Sequence, residues 1–151
     1  MKINYGRGEF FTYGFAPILQ SFGGDLIDRS TYLQASGVLD GPKSVAAMQR
    51  FQSWFEKGWA DKSATTDDDF YGTKKAALAW VGHWMYKPHA KGLGSERAVP
   101  SPNTPAYTVI SKAFAEAVDN IINGADVKTE LSRAARTIDQ DIKAHQGYPI
   151  Q

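Results

Sequence analysis

Ala76-Ala77-Leu78-Ala79-Trp80-Val81-Gly82-His83-Trp84 is the stretch on which the fold reading turns. An apolar run of this length, closed by a glycine, fits a short buried strand over Ala76–Val81. Gly82 ends the run and leaves His83 and Trp84 in the loop that follows. Two readings of Trp84 stand together: a strand end that buries a core indole, and an aromatic platform turned towards a ligand. The acidic, aromatic segment Asp67-Asp68-Asp69-Phe70-Tyr71-Gly72 precedes the run, and Thr66 or Asp67 starts a short helix there.

Working outwards, Lys2–Tyr5 fits a second short strand, stopped by Gly6 and Gly8. Tyr13–Phe22 reads as a helix, with Pro17 tolerated only if it falls in the first turn, and Gly23-Gly24 supplies the stop. Asp25–Leu39 is irregular, with a small hairpin expected around Arg29-Ser30. Asp40 is the expected N-cap of a helix that carries Pro42 in its first turn and runs to Lys57. Its apolar stripe is Ala47, Met48, Phe51, Trp54 and Phe55, in steps of three and four. The stretch 88–105 has no periodicity and four prolines, so it reads as a connection. Thr104-Pro105 opens the next helix, with Ile110, Ala113, Phe114, Ala117 and Ile121 inward; Gly124 ends it. Asp126 caps the last helix, whose inner face is Val127, Leu131, Ala134, Ile138 and Ile142. The expected fold class is therefore α+β, mostly α. About five main helices pack around a small sheet of Lys2–Tyr5 and Ala76–Val81, in one domain spanning 1–151.

Bulk properties narrow the function classes. The 151 residues suit one domain, and 42% hydrophobic with 22% charged residues is ordinary for a globular protein. A net charge of +1 with interspersed signs argues against nucleic acid as a partner and against a polybasic membrane anchor. No cysteine is present, which excludes disulfides and thiolate metal sites. The N-terminus has no apolar core of a signal peptide, and no run is long enough to span a membrane. Aromatic residues make up 13% of the chain, including four Trp, which favours a binding surface.

The strand, its glycine and Trp84, following the acidic segment, resemble the "helix, G-K-x-A-M, strand, G-x-W" passage of solute-binding proteins of carbohydrate ABC importers, the maltose-binding type. Other stretches are similar to the same family in order and spacing. Tyr13-Gly14-Phe15-Ala16-Pro17-Ile18-Leu19 with Phe22-Gly23-Gly24 looks like the first helix of its C-terminal lobe. Asp40-Gly41-Pro42 through Lys57-Gly58 looks like its "N-S-P, long helix, Lys-Gly" unit, and Ala106–Gly124 and Asp126–Ile142 like its returning and closing helices. What the resemblance implies is an isolated C-terminal lobe of a type II periplasmic-binding-protein fold. The other lobe is absent, and a short splice near 94–96 replaces the excursion into it. Such a cut points to an engineered truncation. The parent would be periplasmic or extracellular and would deliver an oligosaccharide to the membrane subunits of the importer by closing two lobes.

Within that resemblance, Trp84 and Tyr13 are the aromatic platforms, since a sugar's C–H face is apolar and its rim polar. Ordinary helix-start packing is the alternative for Tyr13, and a solvated loop position the alternative for His83, which otherwise bonds a hydroxyl. Phe11, Glu9 and Tyr107 are weaker candidates by proximity, Glu9 as the carboxylate beside a stacked sugar. An isolated lobe offers one wall of a cleft, so sugar binding is expected to be weak or absent. The exposed aromatics and the unpaired strand edge point to pairing with a second copy as a homodimer. A helical protein-interaction module, or a module made for folding and assembly studies, is the rival class. No catalytic or metal residues and no cofactor are expected: His83, His89 and His145 lack metal-site spacing, and Asp67–Asp69 lacks the alternation of a calcium loop.

Overall fold

A computed structural model describes residues 2–3, 9–61, 79–80 and 101–148. Four helices carry these residues: α1 (Glu9–Ser21), α2 (Pro42–Glu56), α3 (Tyr107–Ile122) and α4 (Val127–Ala144). α3 and α4 form an antiparallel pair across a short turn, α1 packs on α2 and α3, and α2 packs on both members of the pair. The expectation of an α+β fold built around a small sheet is corrected by this arrangement. Among the described residues the one strand ladder joins Lys2 with Ala79 and Ile3 with Trp80, and Asp61 sits in an isolated bridge. Two residues a side offer no face on which helices could pack, and the core is helix on helix. The expected helix from Thr66 or Asp67 lies outside the described residues.

Periodicity explains why these segments are helices. In α2, Ala47, Met48, Phe51 and Phe55 are buried, and Trp54 is half-buried at the rim. In α3 and α4 every residue of the expected stripes is buried, from Ile110 to Ile121 and from Val127 to Ile142. Phe51 is the hub of an aromatic cluster, with ring centroids 5.2 Å from Phe15, 5.6 Å from Trp54 and 5.1 Å from Phe55. The two Phe51 contacts within α2 are close to edge-on, the geometry ring quadrupoles favour.

The helix ends share one device. After α1, the Gly24 N–H donates to the Leu19 carbonyl and the Gly23 N–H to the Gln20 carbonyl, both at 2.9 Å, while Gly23 has φ +75°. Gly58 and Gly124 close α2 and α3 in the same way. The end of α4 uses Gln146 instead, at φ 52°.

Three local expectations change. Pro17 sits well inside α1 rather than in its first turn. The helix begins at Glu9, its proline lies on the exposed side, and burial of Phe15, Ile18 and Leu19 offsets the one missing backbone bond. The segment from Asp25 to Leu39 forms no hairpin; it is a loop of turns that buries Leu26, Ile27, Ala35 and Leu39. Asp40 is not the cap of α2. Gly41 holds that position without a side-chain bond. Asp126 does cap α4, accepting from the Thr129 N–H at 2.8 Å.

Candidate functional site

The six residues singled out by sequence separate into two groups. His83 and Trp84 lie outside the described residues. Glu9, Phe11 and Tyr13 lie on the first half of α1, and Tyr107 is the first residue of α3.

One buried contact joins these two helix starts. The Thr12 hydroxyl donates to Ser111 Oγ at 2.9 Å, between residues 99 apart in sequence. Both side chains are buried, Thr12 at 2% and Ser111 at 5% exposure, so the bond satisfies two hydroxyls that water cannot reach. Thr12 stands between Phe11 and Tyr13, three residues after Glu9. Ser111 stands one turn after Tyr107. All four candidates therefore lie within about 6 Å, measured along the helix axes, of this bond. Tyr107 is half-buried, and its hydroxyl donates to Ser101 Oγ at 3.4 Å, a long contact that leaves the group open to a better partner. Neither the pairing of α1 with α3 nor the Thr12–Ser111 bond has a local sequence signal; only the apolar stripes on both helices hint that their faces meet.

The charged side chains with shifted or bridging roles lie elsewhere: Asp40 and Asp139 tie the 25–41 loop to α4, and Asp28 and Arg29 brace the loop itself. Burial alone would raise the Asp40 carboxyl, but hydrogen bonds from the Gly37 N–H, Ser132 and Lys128 outweigh it and hold the group below the usual carboxylate range. Asp139 accepts from the backbone N–H groups of Ala35 and Ser36. Asp28 is held low by the Ser30 backbone N–H and then by the Thr31 and Ser30 hydroxyls. Burial alone would lower the Arg29 guanidinium, but its bidentate contact with Asp25, helped by Tyr32, outweighs that and raises it. These carboxylates serve backbone and neighbouring side chains and do not converge on a common point. Among the described residues no group of three or more His, Asp or Glu is arranged to hold a metal ion, and no helix is long and apolar enough to cross a membrane.

Among the described residues three large apolar side chains are exposed: Phe22, Leu33 and Trp59. The Lys57 ammonium lies 4.7 Å from the Trp59 ring centroid and covers part of it. No protein-family model, curated protein or solved structure matches the chain.

Proposed function

We propose that this chain is the sugar-contacting part of a carbohydrate-binding protein of an ABC importer, with the starts of α1 and α3 forming one aromatic wall of the binding cleft. The observation that carries the reading is the Thr12–Ser111 bond, which draws the turn bearing Glu9, Phe11 and Tyr13 towards Tyr107. A phenol with only one long partner contact, as at Tyr107, suits a sugar, whose hydroxyls bond at the rim while its apolar face stacks on an aromatic. The ordered series of sequence passages similar to the solute-binding family also supports the reading, and through it Trp84 and His83 stay candidate ligand contacts. In the parent, a facing lobe would supply the remaining hydrogen bonds, closure would commit the ligand, and the importer's membrane subunits would receive it. The compartment consistent with that role is periplasmic or extracellular.

A single wall encloses little of its ligand, so affinity is expected in the millimolar range, about −4 kcal/mol. Titration with maltose, maltotriose and trehalose, followed by amide chemical shifts, tests the reading. Saturable shifts at Phe11, Tyr13 and Tyr107 support it; indifference to every oligosaccharide sinks it. The rival, a helical protein-interaction module, is favoured by the exposed Phe22, Leu33 and Trp59 on an otherwise helix-on-helix fold.

A further inference from the structure

We infer that Asn123-Gly124, at the end of α3, is a self-modifying site, at which the asparagine converts to aspartate or isoaspartate whenever the last turn of α3 opens. Asn123 is exposed, and the glycine after it has no side chain to hinder attack on the carboxamide. In the reaction the Gly124 nitrogen gives up its proton to hydroxide and bonds to Asn123 Cγ. The Cγ–Nδ2 bond breaks, and Nδ2 leaves as ammonia with a proton taken from water. Water then opens the cyclic imide, at Cγ to give aspartate or at the main-chain carbonyl carbon to give isoaspartate. Water is the only co-reactant.

The closed turn keeps each reacting atom off this course. Asn123 has φ −84° and ψ 4°, whereas ring closure needs the Gly124 nitrogen swung round to the side of Cβ. The Gly124 N–H donates to the Ile121 carbonyl at 3.1 Å, so the nucleophile's proton is engaged. Asn123 Nδ2 donates to the Asp119 carbonyl at 2.9 Å, so the leaving group is tied to the preceding turn. The Ala125 N–H, bonded to the Asn120 carbonyl at 2.9 Å, holds Gly124 at φ +100° from the far side. Gln52 clamps the same corner from α2 through the Ile121 and Ala125 carbonyls. Breaking these few bonds is an opening local to the α3–α4 turn, which needs less free energy than unfolding the whole chain. The product then keeps the turn loose. A carboxylate at this position cannot donate to the Asp119 carbonyl, and it places negative charge at the negative end of the α3 dipole.

The experiment incubates the full chain at mildly alkaline pH, natively and in guanidinium chloride, and follows peptide masses with time. Exchange of an amide for an acid raises the mass; Asp40-Gly41 can pass through the same ring without that gain, so the gain reads asparagine alone. We expect conversion at Asn123 to outrun that at Asn103 and Asn120, whose following residues, Thr104 and Ile121, are branched. Native conversion should be about tenfold or more slower than in the unfolded chain. Gln52→Leu, at a temperature where circular dichroism shows it folded, should speed native conversion roughly fivefold and leave the unfolded rate unchanged. A second readout needs no variant: guanidinium added below the unfolding transition should raise the wild-type rate less steeply than it shifts global unfolding, because local opening exposes little surface. Equal native and unfolded rates overturn the gating, as does a folded Gln52→Leu that converts at the wild-type rate. A denaturant dependence as steep as global unfolding overturns the local opening. Conversion at Asn123 no faster than at Asn103 overturns the site itself.

Discussion

The carboxylate of Asp40 accepts a hydrogen bond from the Ser132 hydroxyl at 2.8 Å, joining the end of the 25–41 loop to the second turn of α4. The same carboxylate accepts from the Gly37 N–H at 2.6 Å and from the Lys128 ammonium at 3.1 Å. One side chain thus closes its own turn and docks it on a helix distant in sequence.

Asp40→Asn should destabilise the fold by about 1–2 kcal/mol at neutral pH, since it keeps the shape and removes the charge that strengthens three hydrogen bonds. The Lys128 partner is half-exposed, so Lys128→Met should cost no more than about 0.5 kcal/mol. The folded-state pKa of Asp40 lies below the ordinary value of 3.8, so folding favours the ionised form. Its contribution is fully present above that ordinary value and is lost as pH falls through the lower folded-state value. Urea midpoints for wild type and Asp40→Asn should therefore differ at neutral pH and converge at the acid end. A gap that persists through the acid range contradicts the assignment.

Gln146 occupies the left-handed position that closes α4, where the other three helices have glycine. Its N–H donates to the Lys143 carbonyl at 3.1 Å, and the Gly147 N–H to the Ile142 carbonyl at 2.8 Å. Gln146→Gly removes the steric penalty of a Cβ at φ 52° and should stabilise the protein by about 0.5–1 kcal/mol. Gly147→Ala should do the opposite, because the residue has φ +78° and its Cβ would lie 3.0 Å from Leu33 Cδ2. Equilibrium denaturation reads both, and a lower midpoint for Gln146→Gly would refute the first.

Gln52 donates from Nε2 to the carbonyls of Ile121 and Ala125, at 2.9 and 2.8 Å. It therefore binds α2 to the turn between α3 and α4, as a second donor to the Ile121 carbonyl, which already accepts from the Gly124 N–H at 3.1 Å, and as a donor to the Ala125 carbonyl. Gln52→Leu fills similar volume but leaves both carbonyls without this donor, and should cost about 1–3 kcal/mol. Hydrogen exchange should speed up most at the last turn of α3. Uniform exchange across the helix would argue that water replaces the amide at no cost.

The helical stripes were legible because burial of one face repeats every three to four residues, and glycine marks the C-terminal end of α1, α2 and α3. The α+β class is corrected because the described pairing of Lys2–Ile3 with Ala79–Trp80 is short, while the apolar stripes of four helices close on one another to make the core. Asp40 was misread for a different reason. An Asp two residues before a helix has the same sequence whether its oxygens face the helix or a partner ninety residues on, and tertiary contacts with Ser132 and Lys128 decide. Pro17 shows the converse, a local rule overridden by the packing of Phe15 and Leu19. For the candidate site, Tyr13 and Tyr107 follow from the family resemblance, while the meeting of Thr12 with Ser111 is a long-range contact invisible to any window of sequence.

Tyr107 gives the cleanest separation of binding from folding. Its hydroxyl contact with Ser101 is 3.4 Å long and exposed, so Tyr107→Phe should change stability by less than about 0.5 kcal/mol. The ring is half-buried at the start of α3, so Tyr107→Ala should cost about 1 kcal/mol or more through lost packing. If the phenol bonds a sugar hydroxyl, Tyr107→Phe weakens maltotriose binding about three- to tenfold while the thermal midpoint stays put. If the ring only stacks, Tyr107→Phe binds as well as wild type and Tyr107→Ala does not bind. If both variants bind as wild type does, Tyr107 takes no part in the wall, and the candidate surface contracts to the α1 side around Phe11 and Tyr13.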